Sequence, residues 1–158
     1  MTDTPPTRLN ELSITRLIDA PVEAVWRAWV DHREEWFCPR PWTMEIVEED
    51  LRAGGTCVMI MLGPDGEENP IHGMYLEVIE QKRVVSTDAF AAGWVPQGPF
   101  MVRIDDFTDE GGRTRYTATA RHWTAEAKAS HEAMGFDAGW NAATDQFEEV
   151  AKRLASAP

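Results

Sequence analysis

The sequence predicts an α+β domain in which one antiparallel sheet packs against a long C-terminal helix. Three observations carry this. Over 136–154 the apolar residues Phe136, Trp140, Ala143, Phe147, Val150 and Leu154 recur at gaps of four and three, which places them on one stripe of a helix. Between 43 and 123 six alternating or apolar runs, separated by Gly- and Pro-bearing turns, read as strands. Helical patterns sit toward the two ends of the sequence rather than between the strands, so nothing supports a parallel βαβ unit. A helix over 136–154 would run about 28 Å, and its stripe needs a large apolar partner, which the strands supply.

Taken in order, residues 12–19 alternate, with Leu12, Ile14 and Ile18 on one face and Ser13, Thr15 and Asp19 on the other. Arg16 falls in the apolar phase. Pro21 suits the first turn of a helix, and Val22, Val25, Trp26 and Trp29 continue it at helical spacing to about Val30. A brief turn over 32–37 ends at Cys38-Pro39, because the residue before a proline avoids the α region. Trp36, Phe37 and Trp42 crowd around two prolines, either as a plug at the end of the sheet or as the rim of a cavity. Trp42, Met44 and Ile46 alternate with acids through Glu49, and Gly54-Gly55 breaks the run. Residues 56–62 are continuously apolar and predict a strand buried on both faces, with Cys57, Met59 and Met61 on one side. Gly63-Pro64-Asp65-Gly66 is a hairpin turn. Strands follow over 74–79 and 84–90, then a loop with Gly93, Trp94, Pro96, Gly98 and Pro99. Phe100, Val102 and Ile104 mark a further strand, Gly111-Gly112 a turn, and 113–123 the last strand. Thr124 is a natural N-cap for a short helix to Ala133, and Gly135 separates it from the long helix. Asn141, Asp145, Glu148, Glu149 and Lys152 occupy that helix's opposite face.

Length and composition bound the function. At 158 residues the chain is expected to form one domain over 12–155 behind a flexible, polar, Pro-rich tail over 1–11. No apolar run approaches the ~18 residues of a membrane span, and residues 1–10 lack the basic and apolar regions of a signal peptide. Two cysteines, Cys38 and Cys57, cannot build a disulfide framework or a four-thiolate zinc site, so a reduced, cytoplasmic setting is expected. The net charge of −12 repels phosphate backbones and anionic membrane faces. Seven Trp and seven Met suit a cavity for a flat or greasy ligand, and equally suit an ordinary core.

The familiar catalytic and nucleotide motifs are absent, including G-x-S-x-G, H-E-x-x-H, C-x-x-C, the Walker loop and G-x-G-x-x-G. His32, His72, His122 and His131 lack metal-ligand spacing, and no metal or cofactor is expected. Asp105 and Asp106 are strand neighbours that point to opposite faces, which excludes a simple acid/base dyad. His122 shares the more apolar face of its strand with Tyr116, Ala118 and Ala120. It reads first as a core histidine with satisfied hydrogen bonds, and second as a group that orients a ligand or acts as a weak base. Arg16 is expected to be buried and paired with a carboxylate of a neighbouring strand, Glu77 or Asp88, because arginine cannot escape burial by losing its proton.

Several stretches resemble a known family. "ITRLIDAPVEAVWRAWVD", "WFCPRPWT", "DLRAGGTC", "GPDGEENPIHGMYLEV", "GRTRYTATARHW" and "HEAMGFDAGWNAATDQFEEV" occur in that order. They are similar to the bacterial family related to the C-terminal domain of the activator of heat-shock protein 90 ATPase, within the START / birch-pollen-allergen-like (SRPBCC) superfamily. The resemblance runs from about Leu12 to Leu154. It implies a helix-grip fold, a curved antiparallel sheet wrapped around the long C-terminal helix over an elongated cavity, with two short helices after the first strand. It also implies a place among lipid carriers, cyclases and chaperone co-factors, and an association with stress responses, without choosing one activity. The sequence is expected to lack the extra N-terminal domain of the eukaryotic activator, which argues against ATPase activation.

The function these readings favour is a binding module for a mostly apolar, flat or aromatic ligand held between sheet and helix. The wall is expected to draw on Trp36, Trp42, Met59, Met61, Met74, Phe90, Trp94, Met101, His122, Phe136, Trp140 and Thr144. The alternatives are a cavity enzyme of cyclase, dehydratase or hydrolase type using His122 as acid/base, and a chaperone-associated interaction protein using exposed Trp. The partners admitted are a small apolar ligand, a second copy of the chain or a chaperone, and neither nucleic acid nor membrane.

Overall fold

A computed structural model describes residues 10–157. The expected tail lies outside the described residues up to residue 9, while Asn10 and Glu11, assigned to that tail, already belong to β1 (Asn10–Ile18). Helix α1 (Val22–Asp31) follows, burying Val25, Trp26 and Trp29 at the expected spacing, and then a single 3-10 turn, Arg33–Glu35. The strands are β2 (Thr43–Glu49), β3 (Thr56–Leu62), β4 (Glu68–Ile79), β5 (Arg83–Thr87), β6 (Phe90–Ala91), β7 (Val95–Pro96), β8 (Val102–Asp109) and β9 (Thr114–His122). Helices α2 (Ala125–Ala133) and α3 (Phe136–Ser156) close the chain.

Seven strands form one antiparallel sheet in the order β1-β9-β8-β5-β4-β3-β2. The two strands that flank α1 in sequence therefore lie at opposite edges, and α1 with the 3-10 turn carries the chain between them. Register shifts in β2 at Ile46/Glu48 and in β4 at Tyr75/Glu77 break the ladder. Such irregularities bend a strand and increase its twist, which suits a sheet that curves around a helix. β6 and β7 form a separate small ribbon. No described helix is long and apolar enough to cross a membrane.

α3 buries Phe136, Ala143, Phe147 and Val150 from the predicted stripe. Phe147 stacks on Trp36 with centroids 4.1 Å apart and meets Tyr116 of β9 edge-on at 4.9 Å. Trp26 of α1 meets Phe107 of β8 edge-on at 5.4 Å. These rings clamp α1 and α3 onto the inner face of the sheet, which is the helix-grip arrangement. The junction between α2 and α3 turns on Gly135, whose φ of 92° is a left-handed conformation open to glycine at little cost. Thr124 caps α2 as expected, its Oγ1 accepting from the Ala127 amide at 3.0 Å.

Some expectations are corrected. β3 is buried on one face only: Cys57 and Met59 point inward while Val58 and Ile60 are half-buried outside. β4 begins at Glu68, six residues earlier than the apolar run suggests, and β5 ends at Thr87, so that Phe90 lies in the ribbon. Arg16 does share a face with Ile14 and Ile18, yet that face looks at α3 rather than at a strand carboxylate. Its guanidinium bonds Asp145, reaches the Asn141 side chain at 3.2 Å and lies 3.8 Å from Glu148. The side chain keeps 22% of its exposure, so this is a half-buried pair between sheet edge and helix. Glu77 instead lies 3.9 Å from Arg83, and Asp88 accepts from the Phe100 and Met101 amides at 2.8 and 3.1 Å.

A cavity with one guanidinium and one imidazole

Between the sheet and the N-terminal half of α3 lies a cavity in two adjoining lobes, of about 330 and 350 Å³. Both fall at the lower end of the ~300–1,000 Å³ usual for small-molecule sites. The first lobe is bounded by Trp36, Phe37 and Cys38 from the loop after the 3-10 turn, His131 of α2, and Phe136, Trp140 and Thr144 of α3. The second reaches down to the sheet at Cys57, Met59, Gly73 and Thr87. Phe37, Met61, Ile71, Phe100, Met101, Arg103 and Met134 belong to both.

The strand period explains the floor. Cys57, Met59 and Met61 alternate onto the inner face, and across the ladder Cys57 pairs with Gly73 and Met59 with Ile71, so these side chains look into one space. A Cβ on Gly73 would meet the Thr87 carbonyl oxygen at 2.4 Å, so the bare backbone lets β4 pass close to β5 beneath the second lobe. Asp88 pins Phe100 and Met101 through their amides, and Gln146 of α3 holds the Trp36–Cys38 loop by donating to the Trp36 and Cys38 carbonyls at 3.1 and 2.8 Å. Met134 is 71% exposed and borders both lobes, marking an opening beside the α2–α3 junction.

Of the residues expected in the wall, Trp36, Met59, Met61, Met101, Phe136, Trp140 and Thr144 border the cavity. Trp42, Met74, Phe90, Trp94 and His122 do not. Met74 is fully buried behind the floor, and Trp94 stands 62% exposed beyond the ribbon, where its ring meets Phe90 edge-on at 6.0 Å. Within the aromatic loop, Trp36 is buried and anchored, its indole N–H donating to the Ala28 carbonyl at 2.9 Å, and borders the first lobe, while Phe37 borders both lobes.

The cation of the cavity is Arg103, which sequence reasoning missed. Its guanidinium lies between two rings, 4.7 Å from the Phe37 centroid and 4.4 Å from that of Trp140. Nε and Nη2 donate to the two oxygens of Asp105 at 3.0 and 3.1 Å, a bidentate pair. Tyr116 donates its hydroxyl to the same carboxylate. Burial opposes the Arg103 charge most strongly, but Asp105 and Tyr116 together outweigh it and hold its pKa above the ordinary value. Burial and then Asp105 push the Tyr116 phenol well up, so it remains a neutral donor. The signal was present as Arg-x-Asp within a strand, since residues two apart share a face. Asp106 faces outward and accepts from Arg83 at 2.8 Å, as the exclusion of a 105/106 dyad required.

His122 is held away from the cavity. Its Nδ1 lies 2.9 Å from the Asn10 carbonyl oxygen, which can only accept, so Nδ1 carries a hydrogen. Its Nε2 lies 2.8 Å from Nδ1 of His131. The tautomer of His122 with its hydrogen on Nδ1 accepts at Nε2, so His131 donates through Nδ1 and its own Nε2 is left as a bare acceptor. His131 is set among Phe100, Phe136 and Trp140, with centroids 4.7, 5.2 and 5.9 Å away. Burial first, then His122 and Arg103, lower its pKa to about 4, so it is neutral at pH 7. Because both nitrogens of His122 are engaged, an acid/base role there has no geometric support. Burial likewise raises the Cys38 thiol to about 11, and the Cys57 thiol is also raised, chiefly by burial.

A second buried cation also escaped the sequence reading. Arg33 stacks on Trp29 at 4.2 Å, pairs with Glu49 and donates to the Tyr75 hydroxyl at 3.2 Å, which ties the 3-10 turn to β2 and β4. It borders neither lobe.

Comparison with known proteins agrees with this architecture. A protein of Nitrosomonas europaea, solved by X-ray crystallography, is 34% identical, with a TM-score of 0.87 over 94% of this chain and 97% of that one. A crystal structure from Mycobacterium smegmatis is 26% identical, with a TM-score of 0.76 over 94% and 99% of the two chains. A solution structure from Arthrobacter aurescens is 22% identical, with a TM-score of 0.80 over 95% and 90%, and speaks for the fold alone. No curated protein matches the sequence significantly. The model of the Activator of Hsp90 ATPase homolog 1-like protein family matches residues 19–152, and the chain belongs to that family.

Proposed function

We propose that this protein is a small-molecule binding module that takes a mostly apolar, flat ligand into the cavity between sheet and α3. The observation that supports this reading is the lining, which is mostly rings, thioethers and other apolar groups, with Arg103, His131, Thr144, Ser86, Thr87 and Asp88 as its polar members. Cavities of that kind bind by apolar burial, and their few polar groups fix orientation.

The test is thermal shift and tryptophan fluorescence against a panel of polycyclic aromatics and medium-chain acyl compounds. A ligand at a hundredfold excess over its Kd adds about 2.7 kcal/mol, a Tm rise of roughly 5–10 °C for a chain of this size. It should also perturb the emission of Trp36 and Trp140. A panel in which no member raises Tm or changes the emission would contradict the reading.

A further inference from the structure

Resting on that binding reading, we infer that the ligand is not an anion and carries one hydrogen-bond acceptor, for Nη1 of Arg103, and one donor, for Nε2 of His131, on a flat apolar frame. Both protein groups are presented by single atoms. The faces of the Arg103 guanidinium are covered by Phe37 and Trp140, and Nε and Nη2 are taken by Asp105. Nη1 has no hydrogen-bond partner among the described residues. The His131 ring is enclosed by aromatic neighbours, and its Nδ1 is taken by His122. Trp29 Nε1 is the one fully buried side-chain nitrogen or oxygen without a partner among the described residues. Nη1 and Nε2 therefore keep contact with open space, and both residues border the first lobe.

Charge decides against an anion. Arg103 and Asp105 already neutralise one another, and His131 is neutral, so a carboxylate in the cavity would add an uncompensated charge to an apolar space. The chain's net charge of −12 also repels an anion on approach. The donor requirement comes from the tautomer relay. The Asn10 carbonyl fixes the hydrogen on His122 Nδ1, His122 Nε2 then fixes the hydrogen on His131 Nδ1, and His131 Nε2 is left needing a donor.

The experiment compares naphthalene probes on the unaltered protein at pH 7. 2-Naphthamide and 6-acetyl-2-naphthol carry an acceptor and a donor, close together or far apart. 2-Acetylnaphthalene carries the acceptor alone, 2-methylnaphthalene neither, and 2-naphthoate a negative charge. The better of the two donor-bearing probes should bind about tenfold more tightly than 2-acetylnaphthalene, the value of one well-formed hydrogen bond, and naphthoate should be the weakest. His131→Leu should bring the ratio of donor-bearing to acceptor-only affinities close to one, while His131→Gln, which keeps an acceptor, should restore part of it. Equal binding of all neutral probes, preference for naphthoate, or a difference that survives His131→Leu would overturn the inference and leave the binding module standing. If no probe binds at all, the binding reading itself fails.

Discussion

At the scale of single residues, the neutrality of His131 has a consequence for stability. Burial, His122 and Arg103 hold its folded-state pKa near 4, below the ordinary 6.5. The groups facing it are His122 of β9, Arg103 of β8, and the rings of Phe100, Phe136 and Trp140. A group with a depressed histidine pKa binds fewer protons folded than unfolded, so stability is complete above about pH 6.5 and falls as the pH drops toward 4. Tm measured between pH 7.5 and 4 should decline over that window, and His131→Gln should reduce the decline. An identical pH profile for the variant would show that His131 is not the group responsible. Tautomers of this kind are settled by the hydrogen bonds at the other nitrogen, and no sequence pattern reveals them, because residues 10, 122 and 131 meet only in the fold.

At the scale of elements, two ion pairs separate a surface contribution from a core one. Arg16 joins β1 to α3 while Asp145 keeps 67% of its side-chain exposure, so water screens the pair. Arg16→Ala should cost about 1 kcal/mol or less. Asp105 is fully buried, and Asp105→Ala would strand the Arg103 guanidinium, at about 3–5 kcal/mol. Denaturant titration of the two variants checks this, and comparable losses would contradict the assignment of Arg16 to the edge. The same strands show why Arg16 was legible and Arg103 was not. In β1 the charged residue falls among Ile14 and Ile18, and strand alternation turns it inward. In β8 the conspicuous apolar residues, Val102 and Ile104, occupy the outer face, while Arg103 and Asp105 occupy the inner one. Alternation names two faces without saying which is inside, and the apolar face is normally taken as the core. Arg16's partners, Asp145 and Glu148, stand on the polar face of α3, and the long Arg16 side chain reaches them from the sheet edge.

At the scale of the molecule, element order and the 3.6-residue period of α3 were enough to read a sheet gripping a helix. Cross-strand register, which sets Met61 rather than Met74 against the cavity, required the pairing of β3 with β4. Trp94 shows the limit of composition: a large ring in a Gly- and Pro-rich loop suits a cavity rim or an exposed ribbon equally well, and the fold places it outside. The central claim is that the space beneath α3 is a binding site. Its seven methionines allow a direct measurement, the titration of 2-methylnaphthalene into protein carrying labelled Met methyl groups. Met59, Met61, Met101 and Met134 border the cavity, whereas Met44 and Met74 are buried away from it. The account predicts saturable shifts in the first four methyl groups with little change in Met44 and Met74. Unshifted methyl groups at saturating probe, or shifts of equal size at Met44 and Met74, would contradict it.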